Sequence, residues 1–73
     1  MFTRGDKVRL TKDSRDIRFP WTFEKGETGV LGRRYRIQDG VEVWELILDK
    51  KRPFLSGEIT TRIAVQGDSI EQI

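Results

Sequence analysis

Cysteine and histidine are both absent from this 73-residue chain, and two classes of chemistry go with them. Without thiols there are no disulfides and no thiolate metal ligands. Without imidazole there is no Ser-His-Asp or Cys-His arrangement and no general base of the kind commonest at neutral pH. No apolar run approaches the length that crosses a bilayer, and Met1-Phe2-Thr3-Arg4 opens without an apolar signal-like stretch. The expectation is a cytoplasmic protein with no membrane partner. The length fits one domain over residues 1–73, near the lower limit at which a single core holds a chain folded, so stability must come from packing or from assembly.

What is present is turn punctuation. Arg4-Gly5-Asp6-Lys7-Val8-Arg9-Leu10 and Lys25-Gly26-Glu27-Thr28-Gly29-Val30 each set glycine where a chain turns before a period-two strand, and Asp39-Gly40 marks a tight hairpin. No long stretch carries a sustained 3.6-residue apolar repeat. Lys7 to Thr11 alternates, with Val8 and Leu10 on one face, and reads as the first strand. Lys12 to Gly26 fits no period. Pro20 disfavours helix at Phe19 and donates no ladder hydrogen bond, so this stretch reads as a long loop with room for a short hairpin of its own. Thr28 to Ile37 is the second strand. A bulge at Gly32 would re-phase it, turning Val30, Tyr35 and Ile37 toward the core.

Asp39-Gly40 suits a type I′ turn, which sets Gln38 opposite Val41. Regular pairing then aligns Tyr35 with Trp44, Arg33 with Leu46 and Arg34 with Glu45. The third strand, Val41 to Leu48, is apolar on both faces: Trp44, Leu46 and Leu48 on one, Val41, Val43 and Ile47 on the other. The second face calls for a cover, and the loop aromatics are the obvious one. Glu58 to Gln66 reads as the fourth strand, followed by a turn at Gly67-Asp68 and a short closing strand.

A Gly-Asp-x-Val-x-Leu strand, a long loop, a Gly-x-x-Gly-Val strand, a tight hairpin and two short final strands resemble the SH3-like small barrels in the broad sense. That group includes KOW and Tudor-type nucleic-acid or peptide binders, the beta-subunit barrel of nitrile hydratases, and accessory subunits such as subunit IV of photosystem I. The resemblance implies an all-β, five-stranded SH3-like barrel with a long loop after the first strand. It implies a binding module rather than an enzyme. Ala-Leu-Tyr-Asp-Tyr and a Trp-Trp pair are absent, so it does not extend to a polyproline groove. A Tudor-type site would require Phe19, Trp21 and Phe23 to converge as an aromatic cage.

Two functional expectations follow. The first is a non-catalytic docking module that binds another protein or itself, through Phe19, Trp21, Phe23, Val43 and Ile47 with Arg34 and Arg36 at the rim. The bland counterpart is that the aromatics are simply core. The second is a nucleic-acid binder using the only basic clusters, Arg33, Arg34, Arg36 and Lys50, Lys51, Arg52. Against it, 14 Lys and Arg face 12 Asp and Glu, and an eight-residue strand sets the clusters roughly 25 Å apart. The segment charges of +3 over 1–18, −1 over 19–32, +2 over 33–52 and −2 over 53–73 also bring a basic start beside an acidic end in a barrel. No catalytic residue, metal site or cofactor is expected, because the scattered Asp residues sit where turns use them.

Overall fold

The turn residues set the strand order. The computed structural model describes residues 1–55 and 57–73. Its strands are β1 (Lys7–Leu10), β2 (Ser14–Arg15), β3 (Thr22–Phe23), β4 (Thr28–Gln38), β5 (Val41–Leu48), β6 (Arg52–Phe54), β7 (Gly57–Ile59), β8 (Arg62–Gln66) and β9 (Ile70–Gln72). A 3-10 turn, Gly67–Ser69, precedes β9. The chain is all-β. Five strands form one antiparallel sheet in the order β8-β5-β4-β1-β9, while β2-β3 and β6-β7 are separate two-stranded ribbons. Among the described residues no helix is long and apolar enough to cross a membrane.

Asp39 and Gly40 both take positive φ, 52° and 78°, as a type I′ turn requires, and Gln38 pairs with Val41. The register then departs from regular pairing. Arg36 faces Val43, but Arg34 faces Trp44 and Leu31 faces Leu46, so β4 carries two irregularities, one between Leu31 and Arg34 and one between Arg34 and Arg36. The first spans Gly32, where a bulge was expected. The second, at Tyr35, removes the expected Tyr35–Trp44, Arg33–Leu46 and Arg34–Glu45 pairs. Each bulge adds one residue to β4 and re-phases its side chains. Leu31 therefore enters the core, while Tyr35 and Ile37 remain 44% and 59% exposed. Tyr35 and Ile37 are thus not core residues.

The fourth strand also differs from expectation. Glu58 to Gln66 divides at Thr60-Thr61, so β7 pairs with β6 and only β8 joins the main sheet against β5. Thr61 is fully buried, and its carbonyl accepts from the Leu48 N–H at 3.0 Å, which anchors the chain where it crosses from one ribbon to the other.

Val8, Leu10, Leu31, Trp44, Leu46, Leu48, Ile63, Val65 and Ile70 supply the apolar face of the sheet, and Phe23 closes over it from β3. Phe2, Phe19 and Trp21 pack against this cluster while partly exposed. The loop aromatics thus cover the face bearing Trp44, Leu46 and Leu48, not the Val41, Val43 and Ile47 face. On that opposite face Val43 is buried, and Val41 and Ile47 are half-buried.

Candidate functional site: an aromatic ridge between two ribbons

The segment from Ser14 to Phe23 is a short arm laid over the core. Ser14 pairs with Phe23 and Arg15 with Thr22, and the connection between them is fastened by Asp16. The Asp16 carboxylate accepts from the Arg18 backbone N–H at 3.0 Å and from its guanidinium, Nη2 at 2.7 Å, while the Phe19 N–H donates to the Asp16 carbonyl at 2.9 Å. Short-range bonding of this kind is what makes Asp a turn residue. Arg18 Nη2 also donates to the Arg62 carbonyl at 2.8 Å, tying the arm to β8 at the edge of the main sheet. The Arg18 side-chain hydrogen bonds outweigh burial and hold the Asp16 pKa below its ordinary value.

Three rings continue from this clamp. Phe19 stacks on Trp21 with centroids 5.5 Å apart, and Trp21 meets Phe54 edge-on at 6.0 Å. Phe19 also contacts the buried Phe23 edge-on at 5.8 Å. The arm and the β6-β7 ribbon, separate in hydrogen bonding, are thereby joined by one ridge of rings. Aromatic pairs at these separations contribute about 0.5–1.5 kcal/mol each beyond the area they bury.

Arg52 supports the ridge from beneath. It is 6% exposed, its guanidinium lies 4.6 Å from the Phe23 centroid and 5.9 Å from that of Trp21, and it donates to both oxygens of Glu27. Burial pushes the Glu27 pKa up, but the bonds from Arg52 and from the Glu24 N–H, with the charges of Arg52 and Lys50, bring it below its ordinary value. The pair stays ionised, and its cation is shared with two aromatic faces.

The residues expected at a docking surface divide between two sides of the sheet. Phe19 and Trp21 are half-exposed on the ridge, whereas Phe23 is fully buried. Val43 is buried and Ile47 half-buried on the opposite face of β5, so these two do not join the aromatics. Arg34 donates to Glu42 at 3.0 Å, and Arg36 donates to Gln38 at 3.2 Å. Of the basic candidates, Arg33, Arg36, Lys50 and Lys51 are exposed, but Arg52 is enclosed and paired and presents no charge to a phosphate. Nor do the rings form a cage: Phe19 and Trp21 lie against each other at 22°, with no slot between them, and Phe23 is closed off.

Comparison with protein-family models, with curated proteins and with solved structures gives no match to this chain. Its reading therefore rests on the geometry of the site itself.

Phe54 ends the ridge, 41% exposed at the end of β6, and Leu55 follows it in the chain at 95% exposed. Leu55 takes φ of +46°, a region that bulky side chains rarely occupy. Sequence reasoning missed both because Lys50 to Arg52 reads as a turn beyond the third strand and residues 53–57 show no period of their own. The available signal was an apolar pair, Phe54-Leu55, set directly before a Ser-Gly dipeptide.

Proposed function

We propose that this protein is a non-catalytic docking module built on an SH3-like small barrel, and that it meets its partner through the ridge Phe19, Trp21, Phe54 and the adjoining Leu55. The sheet order β8-β5-β4-β1-β9, with a long arm after the first strand and a 3-10 turn before the last, supports the barrel reading. The observation that carries the docking reading is the ridge. Three rings from two ribbons, Phe19, Trp21 and Phe54, are in contact at the surface, with the enclosed Arg52–Glu27 pair against Trp21 and the exposed Leu55 next in the chain to Phe54. Ordered aromatic anchors of this kind lose little conformational entropy on binding, and Trp is the residue type most enriched where interfaces carry their energy.

Nucleic-acid binding is the weaker alternative. Arg52 and Arg34 are each engaged with a carboxylate, and of the remaining exposed cations Arg33 and Arg36 lie on β4 alongside β5, whereas Lys50 and Lys51 lie beyond the end of β5.

Site-specific photo-cross-linking tests the docking reading. A photoreactive residue at position 55, with a control at the exposed Lys12, is expressed in the native cell. Position 55 is expected to give a discrete cross-linked species that position 12 does not, and that Trp21→Ser weakens. Equal labelling from both positions would refute docking at this surface.

A further inference from the structure

We propose that the Asp16–Arg18 pair is a guard on the free edge of β8: it occupies backbone groups there and keeps a strand of a second copy of this chain from adding to the sheet. The guard is separate from the docking ridge. Three observations lead to it.

The first is the edge. β8 ends the sheet order, with β5 its one sheet neighbour among the described residues. The Leu48 N–H donates to the Thr61 carbonyl, so Thr61, Ile63 and Val65 turn their backbone groups toward β5. By alternation the N–H and C=O groups of Arg62, Ala64 and Gln66 point the other way, along the open edge. The run Arg62-Ile63-Ala64-Val65-Gln66 carries one charge and no proline, a composition that pairs readily with another strand. The opposite edge, β9, is three residues long and holds Glu71 in an ion pair with Arg9.

The second is what occupies that edge. Arg18 Nη2 donates to the Arg62 carbonyl at 2.8 Å, and the Ala64 N–H donates to the Asp16 carboxylate. Both are outward groups of β8, one on each side of Ile63, and an incoming strand would need them. Arg18 and Asp16 are also bonded to each other, Nη2 to Oδ2 at 2.7 Å, so the two side chains act as one unit. The Asp16 side chain is enclosed at 11% exposure, while that of Arg18 is 60% exposed and presents a cation to any approaching strand. Charged side chains placed on an edge are a device that keeps sheets from joining.

The third is what the bare edge would accept. Two copies of β8 laid antiparallel about Ala64 set Ala64 opposite Ala64 and Arg62 opposite Gln66. The outward backbone groups then match, and no like charges face each other. Ile63 of one copy lies opposite Val65 of the other, which continues the apolar face of the sheet. The edge is thus self-complementary, and the pair it makes is a closed two-fold dimer. With the guard in place, the Arg62 and Ala64 groups are taken and this pairing is shut out.

Sedimentation velocity over a wide concentration range, with amide hydrogen exchange at Ala64, tests the guard, and circular dichroism establishes that each chain is folded. The Asp16→Ala/Arg18→Ala chain is expected to shift from monomer to dimer at concentrations where the wild-type chain stays monomeric. Its Ala64 amide is expected to lose protection in dilute solution and to regain it on assembly. Adding Ala64→Pro removes the edge N–H, a change that an outward position of an edge strand tolerates, and is expected to restore the monomer. Ala64→Lys is a second blocker should proline disturb the fold, because it sets two cations face to face in the pairing. A folded Asp16→Ala/Arg18→Ala chain that stays monomeric would overturn the guard and leave the pair as a fastener of the arm. Association that neither change at Ala64 reverses would overturn it too, and would place the contact on the apolar surface beneath the arm.

Discussion

Arg52 donates to both carboxylate oxygens of Glu27, Nη1 at 3.0 Å and Nη2 at 2.6 Å, and this pair joins the foot of the β6-β7 ribbon to the turn before β4. Both side chains are largely enclosed, at 7% and 12% exposure. Removing one partner strands a charge in a poorly solvated place, which costs more than the pair itself contributes. Glu27→Gln and Arg52→Met are each expected to lower the unfolding free energy by about 3 kcal/mol. The double variant Glu27→Leu/Arg52→Met should recover most of that loss, because no unpaired charge remains. Chemical denaturation of the three variants checks this, and losses that simply add would contradict it.

The same pair sets a pH response. Glu27 and Asp16 both have pKa values below their ordinary range in the folded chain. The unfolded chain therefore takes up protons first as pH falls, and stability is lost with it. The contribution is fully present at neutral pH, declines from about pH 5 downward, and is gone once both folded carboxylates are protonated. Thermal melts between neutral pH and pH 3 should show that fall. In the Asp16→Asn chain the fall should be shallower, and an unchanged slope would remove Asp16 from the account.

Two glycines in β4 are expected to respond differently to alanine. A Cβ at Gly29 would run into the Ile47 carbonyl oxygen, which is backbone, with Leu46 Cδ1 only 2.8 Å away. At Gly32 the obstacle is the Glu45 carboxylate, the movable end of a half-exposed side chain. Gly29→Ala should cost about 2–3 kcal/mol and Gly32→Ala less than about 1 kcal/mol. Equal effects in urea unfolding would mean that the β4-β5 contact is looser than this.

Local signals in the sequence made much of this fold legible. Asp39-Gly40 placed the hairpin, Val41 to Leu48 appeared as a strand with its observed bounds, and Gly67-Asp68 announced the turn before the closing strand. Non-local features escaped. One bulge at Gly32 was readable because glycine marks it, but nothing at Tyr35 distinguishes a second, and that single residue moved the Trp44 pairing from Tyr35 to Arg34. Lys50-Lys51-Arg52 reads as one solvated basic run. Only the fold brings Glu27, 25 residues earlier, against Arg52 and withdraws it from the surface. Trp21 and Phe19 were readable as interface candidates, whereas their neighbour Phe54 is joined to them purely by tertiary contact.

Leu55 is strained, at φ of +46°, and almost fully exposed beside the proposed docking ridge. One variant, Leu55→Asn, separates strain from docking when urea unfolding of the purified chain and photo-cross-linking from position 54 in the native cell are both measured. Asparagine tolerates positive φ better than leucine, so stability is predicted to rise by about 0.5–1 kcal/mol while cross-linking to the partner weakens. A variant that loses stability, or that cross-links as strongly as the wild-type chain, would contradict the proposal that Leu55 serves docking.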